Sequence, residues 1–341
     1  MKAGVIGLGH GSRVLINSFR LSNIEVYGIA SKNKWKAEKI RKEKKIKIAY
    51  RNWKLLIKDK KINIVAIAVP SVFHIEMLKE CIKENKIILC EKPLGINILE
   101  VNRIFLLLSK YKRFFLIDYI FPEHEAFKKF KKIIDNRKKF ITDFVEVKFN
   151  TQTFINKNRI SNWKSSPKKG GGIINLFLSH ITDYLILFFG KVSKIKSKVT
   201  KDGNFEIGMV CMIEFESNIK ASIYIDTNNS RKYHSIKFFS KKYQLILKNN
   251  GDDYCKNFTL NYIKIDKNNK KLCKKIKFKD KISNFNQDAR IFLTSNIINK
   301  LKMKNNSFSR LKNLNRYKYN ENILNYCRQS AKKESYIFIN D

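Results

Sequence analysis

The first third of the chain alternates short, continuously apolar runs with segments whose apolar residues recur at helical spacing. A run that is apolar at nearly every position, such as INIVAIAV, is typical of a parallel strand buried on both faces. Strands are predicted at residues 2–6, 24–30, 62–69 and 87–90, and helices at 35–44 and 72–84. This alternation predicts an α/β domain built on a doubly wound parallel sheet.

From about residue 119 the pattern changes to strands in which apolar and polar positions partly alternate. Short strands of this kind, separated by turns, predict an α+β domain with a large, open, mostly antiparallel sheet. Strands are predicted at 142–149, 192–198, 207–216, 220–226, 234–239 and 244–247, and helical segments at 173–189, 287–301 and 322–332. Residues 249–285 are rich in Lys and Asn, and we expect hairpins and loops there.

The first predicted strand leads directly into a glycine-rich turn, GLGHGS. In a strand–turn–helix unit that binds a dinucleotide, one glycine permits the tight turn and a second lets the backbone approach the pyrophosphate. The helix N-terminus beyond attracts the phosphate charge. The third glycine position of this pattern falls on Ser12, where the neighbouring Gly11 can relax the same constraint. The residues predicted to bind the cofactor are Gly7, Gly9, His10, Gly11 and Ser12.

These patterns divide the chain into two functional parts. We assign residues 1–118 to a dinucleotide-binding Rossmann domain and residues 119–341 to a substrate-binding and dimerisation domain. A C-terminal helix that packs back on the first domain is compatible with this division.

The end of the second predicted strand bears on the choice of cofactor. A carboxylate about 20 residues after the glycine turn usually binds the adenosine ribose in NAD-dependent domains. This chain has Ser31 and Lys32 at that place. With no carboxylate to repel it, a 2′-phosphate can sit on Ser31 and pair with Lys32, so we predict NADP in preference to NAD. The alternative is that Lys32 is one more solvated lysine.

Two further motifs follow the glycine turn in order: Pro70-Ser71 with His74, and Glu91-Lys92-Pro93 after a buried strand. Together they resemble the glucose–fructose oxidoreductase / inositol dehydrogenase (Gfo/Idh/MocA) family. The resemblance implies NAD(P)-dependent hydride transfer to or from a hydroxyl or keto carbon of a sugar, nucleotide sugar or cyclitol. It also implies a cis Lys92–Pro93 bond. The further residues predicted to bind the cofactor are Pro70, Ser71, His74, Glu91 and Lys92.

Lys92 is the first predicted catalytic residue. Hydride transfer from an alcohol carbon needs a group that takes the hydroxyl proton or returns it in reduction. A lysine partly desolvated beside a cationic ring has a lowered pKa and can relay that proton. We therefore predict that Lys92 is catalytic and contacts the substrate, and that Glu91 orients its amine.

A second group of residues also resembles this family's sequence pattern: Trp163, the triple glycine 170–172 and His180. The resemblance, which runs from Met1 to roughly Cys211, implies that His180 is catalytic and that Trp163, Asn175 and His180 contact the substrate. The family has a catalytic Asp four residues before this histidine, but Leu176 stands there, and Asn175 lies about 100° round a regular helix from it. Two alternatives stay open: an enzyme that relies on Lys92 and His180, or a catalytically impaired relative that binds cofactor or sugar.

The net charge adds a third alternative. With 71 Lys and Arg against 29 Asp and Glu, the chain has a formal charge of +42. Such a surface can bind nucleic acid through its phosphates, but the basic residues are spread along the whole chain without a basic tail. We therefore expect a solvated basic surface, a carbohydrate-like small-molecule substrate and a homo-oligomer, dimer or tetramer. A nucleic-acid-binding protein is the alternative that rests on charge alone.

Cysteines and apolar stretches complete the expectations. The six cysteines form no CxxC pair and no histidine lies at zinc-site spacing, so we expect reduced thiols and no metal site. The N-terminus lacks a signal-peptide layout. The apolar stretch 173–190 contains Asn175, His180 and Asp183, which hydrocarbon would penalise. We expect a cytoplasmic protein without a membrane partner.

Overall fold

The computed structural model describes residues 1–135, 142–240, 243–249, 253, 255–265, 271–278, 288–302 and 307–339. Parts of the predicted loop region 249–285 and the start of the predicted helix 287–301 lie outside these residues. The chain divides into two compact units. The first is Met1–Ile120 with Ile282–Glu321, and the second is Phe121–Lys281 with Asn322–Asp341. The functional division at residue 118 stays a prediction.

The first unit is built on six strands. They are β1 (Lys2–Ile6), β2 (Glu25–Ala30), β3 (Ile48–Tyr50), β4 (Ile64–Ile67), β5 (Ile87–Cys90) and β6 (Phe115–Ile117). Their order is β3-β2-β1-β4-β5-β6 and all neighbours are parallel, which confirms the predicted doubly wound sheet. Every residue of β4 and β5 is buried. The strand order reverses between β1 and β4, the place where such sheets bind ligands.

Ten α-helices lie within the described residues. They are α1 (Ile16–Leu21), α2 (Lys34–Glu43), α3 (Trp53–Lys58), α4 (His74–Lys83), α5 (Ile98–Ser109), α6 (Glu125–Asp135), α7 (Phe154–Lys157), α8 (Ser179–Phe189), α9 (Ala289–Lys300) and α10 (Ser307–Lys333). Three of them begin at an asparagine, Asn33, Asn52 or Asn97, whose side chain accepts a backbone N–H bond of the first turn. Among the residues described, none of the helices combines the length and the apolar character of a membrane span.

Two π-helical turns stand out because such turns are rare and are frequently found at functional sites. Gly11–Leu15 leads into α1, and Ile174–Leu178 leads into α8. The first turn overlaps the glycine turn GLGHGS, and the second lies between the triple glycine and His180. The regular helix predicted over 173–189 is therefore a π-helical turn followed by α8.

The second unit is built on nine strands. They are β7 (Thr142–Gln152), β8 (Val192–Asp202), β9 (Phe205–Phe215), β10 (Lys220–Asp226), β11 (Asn228–Ser240), β12 (Tyr243–Asn249), β13 (Phe258–Ile265), β14 (Lys271–Lys277) and β15 (Ile337–Phe338). Their order is β14-β13-β12-β11-β7-β10-β9-β8-β15. Only β7 and β10 pair in parallel among the described neighbours, which confirms the predicted mostly antiparallel sheet.

Aromatic side chains hold α6 and α8 on this sheet. Phe130 of α6 packs on Phe188 of α8, with ring centroids 5.3 Å apart. Phe189 of α8 stacks on Phe238 of β11 at 6.0 Å. The helix that carries His180 is thereby fixed against the sheet by large buried rings, which contribute strongly to core energetics.

Candidate functional site

The glycine turn lies at the carboxyl end of β1. Gly7 has a φ of 93°, and a Cβ there would lie 2.3 Å from the carbonyl oxygen of Ala68. Only glycine fits both the conformation and the space. A Cβ on Gly9, by contrast, would meet no atom within 4 Å. The backbone at Gly9 is therefore open to a ligand, as pyrophosphate binding requires.

Gly11 allows the helix to pack closely on β1. A Cβ at Gly11 would lie 2.9 Å from Cγ1 of Val5. Ser12, at the third glycine position of the motif, donates its hydroxyl to the carbonyl oxygen of Leu8 at 2.8 Å. The π-helical turn begins at Gly11. This residue allows the close approach of helix and strand that the motif usually obtains from a glycine one position later.

The turn after β2 holds the residues predicted to read the ribose phosphate. The Ser31 hydroxyl accepts the backbone N–H bond of Asn33 at 3.3 Å, and Lys32 is exposed. Asn33 in turn caps α2 by accepting the N–H bond of Lys36 at 2.8 Å.

A cavity of about 690 Å³ opens between the starts of α1 and α2. Its lining includes Arg13, Lys36 and the side chain of Trp35, which is 73% exposed. Ser31 and Lys32 are not among its lining residues. Sequence reasoning did not single out Arg13 and Trp35, although Arg13 directly follows the glycine turn and Trp35 lies at the start of the helix after β2.

His74 ties together two loops at this end of the sheet. It is fully buried, and its ring nitrogens lie 3.1 Å from the carbonyl oxygen of Leu94 and 3.0 Å from that of Val69. Burial lowers the pKa of His74. Ser71 is also buried, at the start of the turn that follows Pro70. The cofactor-binding role of Pro70, Ser71 and His74 stays a prediction.

The segment Glu91-Lys92-Pro93 follows β5. The N–H of Glu91 donates to the carbonyl oxygen of Ile67 at 2.9 Å, so the segment continues the parallel hydrogen bonding with β4. The Lys92–Pro93 bond is cis, as the family resemblance implies. Lys92 is half-buried. The sheet therefore fixes Lys92 at its carboxyl edge, the edge at which the glycine turn also lies.

His10, Glu91 and Asp118 form an ion-paired cluster beside Lys92. Nε2 of His10 lies 3.0 Å from Oε1 of Glu91 and 3.7 Å from Oδ2 of Asp118. The Asp118 side chain is only 3% exposed, and both its oxygens accept the hydroxyl bond of Thr294 at 3.1 Å. Donor atoms at this spacing, within 4.8 Å of one another, can also hold metal ions. Since His10 already faces a carboxylate of opposite charge, we describe the group as an ion-paired cluster.

The cluster shifts the titration of all three groups. Burial alone would lower the pKa of His10, but the charge of Glu91 and contact with Asp118 raise it to about 9. Burial raises the pKa of Asp118 to about 6, and the charge of Glu91 adds to this rise against the opposing effect of His10. Burial would raise the pKa of Glu91, but His10 and then Lys92 lower it to about 2. At neutral pH His10 is therefore an imidazolium between two carboxylates.

In the second unit, the triple glycine packs on the chain around Trp163. A Cβ on Gly171 would lie 2.3 Å from the carbonyl oxygen of Trp163. Gly172 has a φ of 82°, and the next residue, Ile173, donates its N–H to Oε2 of Glu206 at 2.7 Å. Glu206 thus caps the segment that leads to His180.

Within the π-helical turn Ile174–Leu178, Asn175 and Leu176 differ in burial. Asn175 is 2% exposed, and its Oδ1 accepts a bond from Nη1 of Arg328 at 2.6 Å. Leu176 and His180 are both half-buried. Leu176 therefore stands in the family's Asp position with a partly accessible side chain, whereas Asn175 is engaged in the interior.

His180 packs against an aromatic ring. Its imidazole packs edge-on against Phe121, with centroids 5.5 Å apart and planes at 86°. Asp183, one turn along α8, is fully buried. His124 is buried and accepts the N–H bond of Ala126 on Nδ1 at 3.0 Å. His124 therefore caps the start of α6.

Sequence reasoning missed three carboxylates as site residues. Asp118 follows an apolar run at the end of β6, which is the signal that identified Glu91. Glu206 lies in β9, and Glu321, in α10, accepts the N–H bond of Leu94 at 2.9 Å. Neither of the last two could be found from spacing, because each meets its partner only through the tertiary fold.

Comparison with known proteins settles the family. The model of an oxidoreductase family with an NAD-binding Rossmann fold, GFO/IDH/MocA, matches residues 1–119. The model of the GFO/IDH/MocA C-terminal domain matches residues 127–246. The chain belongs to the GFO/IDH/MocA family. It is thus a member of a family of NAD-binding oxidoreductases, as its motifs imply.

The curated relatives in this family are distant. An uncharacterized oxidoreductase of Synechocystis sp. is 25% identical over 201 residues, which cover 59% of this chain and 54% of the relative. Myo-inositol 2-dehydrogenase of Thermotoga maritima is 25% identical over 137 residues, 40% of this chain and 41% of the relative. The chain spans about half the length of the curated relatives it matches.

Solved structures share the fold over the whole chain. Levoglucosan dehydrogenase in complex with NADH and L-sorbose aligns with a TM-score of 0.84 and 16% identity, covering 100% of this chain and 99% of that one. An NAD-binding oxidoreductase from Klebsiella pneumoniae aligns with a TM-score of 0.83 and 15% identity over the same shares. At such low identity these likenesses show the fold alone.

Proposed function

We propose that this GFO/IDH/MocA member is an NAD(P)-dependent dehydrogenase or reductase that acts on CH–OH groups. Its substrate would be a sugar, a nucleotide sugar or a cyclitol. The observation that carries the proposal is a half-buried Lys92 beside an ionised Glu91, at the same sheet edge as a glycine turn that is open at Gly9. The curated relative from Thermotoga maritima, a myo-inositol dehydrogenase, supports the substrate class.

In this proposal the bound nicotinamide supplies or accepts the hydride. Lys92 takes the proton of the substrate hydroxyl or returns it to the product oxygen. His180 is the second catalytic residue, and Trp163 and Asn175 help to bind the substrate. Residues 1–118 then hold the cofactor and residues 119–341 hold the substrate.

The proposed cofactor is NADP in preference to NAD. No carboxylate follows β2 to repel a 2′-phosphate, and Ser31 with Lys32 stands at that place. Arg13 and Lys36 line the adjoining cavity and add positive charge there. Basic side chains at a ribose phosphate favour NADP, and the exposed ring of Trp35 offers a face on which an adenine can stack.

A titration with NADPH and NADH, followed by nicotinamide fluorescence, tests the cofactor. We expect saturable binding that is at least about tenfold tighter for NADPH, since an ion-paired phosphate is worth roughly 1.5–3 kcal/mol. Gly9→Ala should weaken binding without loss of folding, because its new methyl group meets only the ligand. Gly208→Ala, whose new Cβ would make an ordinary 3.5 Å contact with Thr200, is the matched control. Failure to bind either cofactor would refute the proposal.

The substrate class is tested by turnover of NADP⁺ against a panel of sugars, nucleotide sugars and cyclitols. A second candidate function, cofactor or sugar binding without catalysis, is favoured by Leu176 at the place of the family's Asp. Binding of NADPH with no turnover across the panel would support this second candidate.

An oligomer is proposed from the surface of the nine-stranded sheet. Val210 and Tyr224 lie directly opposite each other on β9 and β10 and are 47% and 43% exposed, and Met212 beside them is 43% exposed. Adjacent exposed apolar residues of this kind mark interaction surfaces. We expect a dimer or tetramer in sedimentation velocity, and Tyr224→Lys should shift it toward the monomer.

A cytoplasmic location is the last part of the proposal. All six cysteines are free thiols, and only Cys273 is exposed. Free thiols persist in reducing compartments. Fractionation of cells that express the protein would test this location.

A further inference from the structure

The cluster of His10, Glu91 and Asp118 joins three strand ends of the first unit. His10 lies in the turn after β1, Glu91 directly follows β5 and Asp118 directly follows β6. The N–H of Asp118 donates to the carbonyl oxygen of Cys90 at 3.1 Å. Adjacent strands thus bring the two carboxylates together, and the glycine turn brings the imidazole between them.

Other charged groups around His10 are few in the described part of the first unit. Asp288, at the start of α9, also interacts electrostatically with His10, but it is paired with Arg290, whose Nε lies 2.8 Å from Oδ1 of Asp288. Lys92 is a further cation nearby and interacts electrostatically with Glu91. With one imidazolium and two carboxylates, the cluster is negative toward Lys92.

Burial makes this charge effective. The side chains of His10 and Glu91 are 23% and 17% exposed, and that of Asp118 is 3% exposed. Charges so shielded from water act over longer distances than those of surface pairs. The protonation state of Lys92 therefore depends on His10 and Asp118, which lie outside the Glu91-Lys92-Pro93 motif.

We propose that His10 and Asp118 are positioning residues for Lys92 and act through Glu91, because the three side chains together set the charge beside the lysine amine. The inference rests on the proposed function only for the role of Lys92 in proton transfer. Removing a carboxylate from the cluster favours the neutral amine of Lys92. Removing the imidazolium favours the ammonium.

Competitive acetylation of Lys92 in the full chain, read by peptide mass spectrometry, measures the fraction of neutral amine. Near neutral pH, we expect Asp118→Asn to raise the labelling of Lys92 about threefold and His10→Gln to lower it about threefold. This is the size expected of a unit charge acting through partly solvated protein. A purely structural role would not give opposite signs.

The matched control is Glu84→Gln. Glu84 pairs with the exposed Lys60 of the same unit, at 2.9 Å, and its replacement should leave the labelling of Lys92 unchanged. Thermal unfolding verifies that both variants are folded, because the test compares the signs of their two effects. Changes in the same direction, or none beyond the control, overturn the inference.

Two further arms separate the alternatives. Dialysis against EDTA should leave the labelling of wild-type Lys92 unchanged, and a change would assign the cluster to a metal ion and overturn the inference. The labelling needs neither cofactor nor turnover. A chain that binds no nicotinamide would therefore contradict the proposed function, while the signs of the two variants would still decide this inference.

Discussion

The two predicted catalytic residues have opposite surroundings. Lys92 lies beside a largely buried cluster of three titratable side chains, His10, Glu91 and Asp118. His180 packs against the ring of Phe121, and the residue one turn before it on the chain is leucine.

This difference indicates which part of the chain controls proton transfer electrostatically. In the first unit, hydrogen-bonded strand ends hold charges of both signs within 4 Å of one another. In the second unit, the family's carboxylate position carries Leu176. We infer that proton transfer in this member depends mainly on the surroundings of Lys92, and the following predictions test that inference.

The largest effect is expected for Lys92→Ala. Loss of a proton-transfer group typically costs 10²–10⁴ in rate, so we expect kcat to fall at least about a hundredfold while the cofactor still binds. Lys79→Ala, an exposed lysine of α4, is the matched control and should retain wild-type kcat. Steady-state kinetics with NADPH fluorescence as a binding check measure both. Retained turnover in Lys92→Ala would exclude the role given to this lysine.

A smaller effect is expected for His180→Gln. Because leucine stands at the family's Asp position one turn before His180, we expect kcat to fall only about tenfold, less than the 10²–10⁴ typical of acid–base groups. The comparison of the two residues would break if His180→Gln lost as much activity as Lys92→Ala. Near-UV circular dichroism checks that the packing around Phe121 is retained.

The cluster also predicts a pH dependence of stability. The pKa of His10 is raised from 6.5 to about 9, so its stabilisation is fully present below about pH 6.5 and is lost as the pH rises through about 9. We expect the difference in free energy of unfolding between wild type and His10→Gln to shrink by about 1–3 kcal/mol over that range. Urea unfolding at several pH values measures it. A difference that stays constant with pH would mean that His10 is not held as an imidazolium.

Much of the first unit was predictable because local signals determine it. The continuous apolar run of β4 and the glycine turn at Gly7 identified the parallel sheet and its ligand-binding edge. The short strands β3 and β6 and the hairpin of β13 and β14 were not predicted individually. β3 and β6 have only three residues each, and the hairpin lies in a stretch too rich in Lys and Asn for clear alternation.

The candidate site was predictable only as far as its motifs reach. Lys92 and Glu91 follow a buried strand and were identified, but the partnership of His10 with Asp118 joins residues 108 positions apart in the chain. The hydrogen bond between Asn175 and Arg328 was also out of reach, because it joins residues 153 positions apart within the second unit. Sequence spacing indicates which residues have functional side chains, whereas the tertiary fold decides which of those side chains lie close enough to interact electrostatically.

The smallest expected effect comes from Leu176→Asp, which would give the second unit the carboxylate that the family has there. Leu176 is half-buried, so the new carboxylate keeps contact with water, and we expect a loss of only about 1 kcal/mol in unfolding free energy. An aspartate one turn from His180 stabilises the protonated imidazole. We therefore expect a severalfold change in kcat and an upward shift of about one unit in the acid limb of its pH profile. Leu176→Asn, which has the same shape without the charge, should leave that limb in place. If both variants behaved alike, the charge at this position would be irrelevant to proton transfer.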